Sequence, residues 1–398
     1  MSTKSYDVIV VGGGPAGAIA AKTAAEQEAR VLLLEGHRKV GKPVQCTGLL
    51  SVRGFEEAGA SPSVILREIR GSFACSPNGR RLAIEKPAVH AYVMDRDRFD
   101  CDLIKQACEA GVDVQIGAQA ISLETGRLHY KARGRAESVK TSMVIGADGP
   151  SSRVAKWAGL PSPQKSIIAV QVTIAHEPER SDYVEVYVSQ KIAPNFFGWV
   201  VPAAPGYARV GLGTDDGKRA RGYLDAWLRE RFPGSKIVER NAGAIPIGPA
   251  SRTIANGVIL VGDAAGQAKP TSGGGIYTGV TCARIAGEVA ARAALSGDTS
   301  QPALEEYEQR WRELFDSELK FGMLAHQLFC QVSDEEINKM FCALDDPEIL
   351  KLLSQYGDID YPSFVVKAIL KRPDLWGKLL PAIPFNLEIL FHAMKNLA

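Results

Sequence analysis

The sequence predicts an α/β protein, with a parallel-sheet domain, an antiparallel-sheet domain and a helical C-terminal region. Three observations carry that expectation. The chain opens on a short β-branched run that breaks into three glycines before an alanine-rich helix. Its middle holds runs that alternate apolar and polar residues, and from about Pro302 the apolar positions recur at helical spacing. A length of 398 residues also exceeds what one hydrophobic core serves, so more than one lobe is expected.

The opening is the most informative stretch. Tyr6 to Val11 reads as a buried parallel strand, Gly12-Gly13-Gly14-Pro15-Ala16-Gly17 as a turn, and Ala18 to Gln27 as a helix. A second apolar run, Arg30 to Leu34, ends on Glu35. The order strand, glycine turn, helix, strand, acid gives each residue a task. Gly12 permits the tight turn, Gly14 lets the backbone approach a pyrophosphate, and Gly17 lets helix and strand pack closely. Pro15 and Ala16 then start a helix whose free N–H groups and positive dipole end face the phosphates. Glu35 lies where a carboxylate accepts from the ribose hydroxyls of an adenosine.

Two later strands also end in acids. Met143 to Arg153 passes through Asp148-Gly149, and Gly257 to Ile276 passes through Asp263 and then Gly273-Gly274-Gly275 before another helix begins. Between the opening and these, Asp95-Arg96-Asp97-Arg98 heads an amphipathic helix, and Gly111 to Val114 follows as a strand. Lys165 to Ala175 and Asp182 to Ser189 alternate as half-buried antiparallel strands do, Phe196 to Val201 and Tyr207 to Leu212 look like two more, and residues 73–94 are expected to join the same sheet. The helical region places Leu304, Tyr307, Trp311, Leu314 and Phe315 at core spacing. The expected domains are 1–72, 95–164 and 241–300 for the dinucleotide, 73–94 and 165–240 for the substrate sheet, and 301–398 for the helices.

Composition excludes several classes. With 47 basic against 45 acidic residues the net charge is +2, which gives nucleic acid no footprint. The seven cysteines are odd in number and scattered without a C-x-x-C pair, which argues against a disulfide framework or a metal site. The N-terminal residues pass into a strand at once and leave no room for a signal peptide, and no apolar run approaches the roughly 18 residues of a membrane span. A reducing, cytoplasmic setting is expected. None of the six histidines falls in a constellation with an acid and a nucleophile.

Taken together, the glycine turn, Glu35, Asp148-Gly149, Asp263 and the Gly273–Gly275 turn resemble the FAD-binding set of the p-hydroxybenzoate-hydroxylase-like flavoproteins. The resemblance implies a glutathione-reductase-type FAD-binding Rossmann domain. Asp263 would contact the ribityl–pyrophosphate region, and Gly273 to Ile276 would face the isoalloxazine N1–O2 edge. Arg96 would reach the cofactor, and the Ala120 backbone would lie against the adenine.

Two further stretches narrow the likeness. Gly41 to Ser51, GKPVQCTGLLS, resembles the cysteine loop of the geranylgeranyl reductase family. Phe197-Gly198-Trp199-Val200-Val201-Pro202 resembles that family's aromatic substrate motif, with Val201 where the family has Phe. The likeness implies reduction of prenyl double bonds, with Phe197, Trp199 and Pro202 at the substrate. Gln45, Cys46 and Gly48 would lie against the flavin, and Cys46 is the catalytic candidate, weighed against a small buried hydrophobe. The expected substrate is a long prenyl lipid. With one dinucleotide fingerprint in the chain, NADPH, ferredoxin and other reductants all stay open as electron donor. A flavin monooxygenase or halogenase of an aromatic substrate is the alternative on the same fold, and an electron-transfer flavoprotein a third. The segment Tyr361 to Ala398 is basic and aromatic, so it either rests on an anionic bilayer as a peripheral contact or covers the protein's own core.

Overall fold

The computed structural model describes residues 5–163, 165–379 and 382. The parallel part of the first sheet grows outward from the opening strand, Ser5–Val11. Val8 is opposite Val31 on one side and Met143 on the other, so the strand is covered along both edges. Asp113–Ile116 extends the sheet beyond Val31–Glu35, and Val258–Leu260 extends it beyond Arg135–Gly146. All four of these pairings are parallel. Parallel strands need crossovers, and the helices that supply them bury one face of the sheet.

The helices Pro15–Glu26, Arg96–Glu109 and Ile276–Ser296 share one core with Val8, Val10, Leu33, Met143 and Ile145. The opposite face, with Ile9, Leu32, Leu34 and Val144, is closed by the meander Ala118–Glu124 and Arg127–Ala132 and by a short helix at Arg153–Trp157.

The second sheet has seven strands in the order Ile237–Ile247, Lys165–Ala175, Tyr207–Thr214, Gly198–Pro202, Tyr183–Tyr187, Gly71–Cys75 and Arg81–Glu85. One face carries Val172, Val200, Val210 and Leu212 against the helix Ala220–Arg231. Two details differ from the sequence expectation. Ile237–Ile247 pairs with Lys165–Ala175 along nearly its whole length, so residues 241–247 lie in this sheet. Ala91–Met94 leaves it and joins a separate three-stranded sheet with Leu49–Ser51 and Ile65–Ile69.

In the C-terminal helix Gln301–Phe329, the side chains of Leu304, Tyr307, Trp311 and Phe315 are buried while Leu314 is exposed. Tyr307 sits at the seam, its hydroxyl donating to the Leu260 carbonyl at 2.7 Å and accepting from Gln267 Nε2 at 3.0 Å. The helices Asp334–Leu344, Pro347–Tyr356, Ser363–Leu370 and Pro373–Leu379 complete the region. No helix among the described residues is long and apolar enough to cross a membrane. The aromatic residues Phe385 and Phe391 and the charges Glu388 and Lys395, part of the expected membrane-facing tail, lie outside the described residues.

Candidate functional site

The first glycine turn is shaped by what its glycines exclude. A Cβ on Gly12, at φ +110°, would stand 2.2 Å from the Ala147 carbonyl oxygen, and one on Gly17 would stand 1.9 Å from that of Gly12. Those two positions are closed to any side chain. Gly14 is the opposite case, because a Cβ there meets nothing within 4 Å. It opens on free space directly before Pro15, and no side chain caps this helix end. The Glu35 carboxylate crosses to this turn, accepting from Gly13 N at 2.7 Å and, through its other oxygen, from His37 N at 2.6 Å and His37 Nδ1 at 2.8 Å.

Asp263 and the second glycine turn face the same region. Gly273 has φ +69°, and no side chain caps the helix that starts at Ile276. A Cβ on Gly275 would lie 3.0 Å from Asp263 Oδ1. Among the described residues the Asp263 carboxylate accepts no hydrogen bond. Burial pushes it up to about 6, with the Arg96 guanidinium opposing. An inward carboxylate without a donor, two uncapped helix ends and an open Gly14 are what a ribityl–pyrophosphate chain bearing hydroxyls and phosphates would complete. The residues fit an FAD.

Other candidates are engaged within the protein. Asp148 caps a helix, its Oδ2 accepting from Arg153 N at 2.7 Å and Val154 N at 3.1 Å, and its Oδ1 from Ser152 at 2.6 Å. Gly149, at φ +80°, turns the chain beside it. The Ala120 carbonyl accepts from Arg153 Nη1 at 3.3 Å. Arg96 forms a buried pair with Asp100 at 2.9 Å. Burial drives the Asp100 carboxyl up and Arg96 opposes it.

The cysteine loop and the aromatic motif meet across the inner face of the seven-stranded sheet. Gly48 sits at φ +80°, where a Cβ would lie 2.6 Å from the Met94 carbonyl and 2.7 Å from Arg209 Nη1. Arg209 Nη1 donates to the Thr47 carbonyl at 2.5 Å and the Met94 carbonyl at 3.0 Å, which pins the loop from below. Burial lowers the Arg209 pKa from its ordinary value. Cys46 Sγ accepts from Gly48 N at 3.3 Å and lies within electrostatic reach of both Arg96 and Arg209. The Gln45 carbonyl packs beside Gly243 on the sheet edge.

Gln171 ties the two motifs together. Its buried amide oxygen accepts from Thr47 Oγ1 at 2.8 Å and from Trp199 Nε1 at 3.0 Å. Register explains the reach, because Gln171, Gly211 and Trp199 are direct neighbours on three adjacent strands. With no side chain on Gly211, the indole can lie across the middle strand. Phe197 packs edge-on against Trp199 at 5.9 Å and stacks on Phe196 at 4.4 Å. The Phe196 ring lies 3.5 Å from where a Cβ on Gly273 would be, so this aromatic run reaches the second glycine turn. Pro202 closes the strand opposite Ala208.

A buried ion pair holds that turn from the other side. Lys269 Nζ contacts Asp360 Oδ1 at 2.6 Å and donates to the Ile359 carbonyl at 2.9 Å, while its backbone bonds Gly273 and Gly274. Gln171, Arg209, Phe196, Lys269 and Asp360 were not singled out by sequence reasoning. Polar residues in alternating strands read as solvent-facing, and only the Arg209-x-Gly211-x-Gly213 face, without bulk beside a charge, hinted at close approach.

The family model described as FAD binding domain matches residues 5–318. The digeranylgeranylglycerophospholipid reductase of Methanosarcina acetivorans is 37% identical over 355 residues, covering 84% of this chain and 87% of that protein. Digeranylgeranylglycerophospholipid reductase 2 of Methanopyrus kandleri is 36% identical, covering 84% and 89%. Among solved structures, a geranylgeranyl bacteriochlorophyll reductase-like protein from Thermoplasma acidophilum superposes with a TM-score of 0.83 at 27% identity, covering 96% of this chain and all of its own.

Proposed function

This chain belongs to the digeranylgeranylglycerophospholipid reductase family of FAD-binding proteins, and from that membership we propose that it saturates carbon–carbon double bonds in the prenyl chains of a geranylgeranyl-type lipid. The observation that carries the reading is relatedness along most of the chain to enzymes of one named reaction. The aromatic run beside the glycine turn supports it. Reduced FAD, when bound, supplies a hydride to one alkene carbon, and the other carbon takes a proton.

The chain's own residues hold and orient. Gly14 and the helix end after it receive the phosphates, and Glu35 and Asp263 accept from hydroxyls. A prenyl double bond has no carbonyl to polarise, so the protein acts chiefly by positioning it on a dry, apolar surface. Trp199 and Phe197 provide that surface, and both are only partly buried. Gln171 and Arg209 fix the loop that carries Cys46. The electron donor is NADPH, ferredoxin or another reductant that reaches the flavin from outside. Phe364, Lys367 and Lys371 are exposed together on the C-terminal region and suit a peripheral contact with an anionic bilayer.

The test is anaerobic incubation of the flavin-loaded protein with dithionite and an unsaturated archaeal-type lipid, followed by mass analysis. A gain of two hydrogens per double bond is expected. A product that carries oxygen, formed only in air, would overturn the reading in favour of a monooxygenase.

A further inference from the structure

We propose that the far end of the prenyl chain is held in an apolar cavity between the sheet and the C-terminal helices, and that this cavity sets the chain length the protein prefers. The proposal rests on the prenyl-lipid reading above.

The cavity measures about 210 Å³. Val188, Ala325, Phe329, Val332, Met340 and Phe341 are among its walls, and every lining side chain is hydrocarbon or thioether. Such a site offers nothing to a polar ligand and a close match to a branched hydrocarbon.

Register connects it to the site. Leu82, Ala74, Val186, Trp199, Gly211 and Gln171 are successive cross-strand neighbours. Neighbours in register share a face, so this row runs across the side of the sheet that carries Trp199. Ala74 and Leu82 pack into one apolar cluster with Val188, Val332, Ile337 and Phe341. The hairpin pairs Val186 with Trp199 and Tyr187 with Gly198, and Val188, the next residue along that strand, donates its N–H to the Cys75 carbonyl at 2.9 Å. From Trp199 to Leu82 is three strand spacings, or roughly 14 Å. A chain that offers a double bond near Trp199 therefore has an apolar path to the cavity along one sheet face.

The walls are anchored on both sides. Gln190 Nε2 donates to the carbonyls of Phe329 and Val332, and Asp334 accepts from Gln190 N and Ser189 Oγ. The loop from Val188 to Phe197 is thereby clamped to the two helices that shape the space. One end of that loop lines the cavity and the other carries the aromatic motif.

The experiment measures equilibrium binding of geraniol and geranylgeraniol to the flavin-loaded protein, with saturation of each assayed separately. Ala325→Trp fills the space from a partly exposed helix position outside the proposed catalytic surface. Geranylgeraniol should bind about tenfold or more weakly to it than to the parent, with geraniol unchanged, since a few carbons in an apolar pocket are worth that much. Equal affinity loss for both alcohols, or loss for neither, would overturn the proposal. If Ala325→Trp fails to fold with flavin, Met340→Ala decides, because enlarging the space should raise affinity for geranylfarnesol relative to geranylgeraniol. An unchanged ratio would overturn the proposal. Chain-length-dependent binding without saturation of either alcohol would sink the reductase reading and leave the cavity standing.

Discussion

Gly211→Ala probes how the aromatic motif is set. A Cβ at this position would stand 2.5 Å from Trp199 Cζ2, 2.6 Å from Cε2 and 2.7 Å from Nε1. Carbon atoms pack comfortably at about 3.5–4.0 Å, so the indole must retreat by roughly 1 Å. The 3.0 Å bond from Trp199 to Gln171 would then open to a distance at which no hydrogen bond exists. Overpacking costs about 1–3 kcal/mol and the lost bond about 0.5–1.5 kcal/mol. Alanine itself improves a strand over glycine by about 0.5–1 kcal/mol, so the clash wins. The net destabilisation should be about 1–3 kcal/mol, read by urea unfolding.

The cause is separable, because Trp199→Ala removes the ring that clashes. In that background Gly211→Ala should be neutral or slightly stabilising, which makes the two changes coupled by about 2 kcal/mol. Trp199→Ala alone should impair prenyl turnover while leaving flavin content intact. An equal cost of Gly211→Ala in both backgrounds would refute the placement of the indole over this strand.

The remaining predictions concern charge and cofactor. Burial raises the Asp263 carboxyl from its ordinary 3.8 to about 6 in the folded protein. Its burial thus costs nothing below about pH 4, and the cost grows until it is complete above about pH 6. After flavin removal, Asp263→Asn should equal the parent at pH 4 and exceed its stability by about 1–3 kcal/mol at pH 7; a difference independent of pH would contradict this. Glu35→Ala leaves Gly13 and His37 without an acceptor and should weaken FAD retention by about 1–3 kcal/mol, measured by flavin fluorescence on dilution. Asp360→Leu strands the Lys269 ammonium in the interior and should cost about 3–5 kcal/mol, most of it recovered by adding Lys269→Met. Failure of the double variant to recover would show that Asp360 acts through something other than Lys269.

The dinucleotide turn was legible in the sequence because its requirements are local. Gly17 is demanded by the Gly12 carbonyl within the same turn, so the spacing of glycines encodes that shape directly, while Gly12 is closed by the Ala147 backbone just past the neighbouring strand. The strand Lys165–Ala175 and the buried stripe Leu304, Tyr307, Trp311 and Phe315 were legible for a similar reason, since periodicity records which face is covered. The tertiary structure decided which polar residues turn inward. Asp148 and Asp263 follow strands of the same kind, yet one is satisfied by a helix start and the other accepts no hydrogen bond among the described residues and lies beside Gly275. Gln171 and Arg209 look like solvent-facing residues of alternating strands until the cysteine loop, more than a hundred residues earlier, is laid over them. Sequence by itself determined the fold class and the shape of the first glycine turn, because those rest largely on short-range geometry. The tying of Thr47, Gln171 and Trp199 was decided only by strand register and lobe packing, which set distances between segments that no local pattern contains.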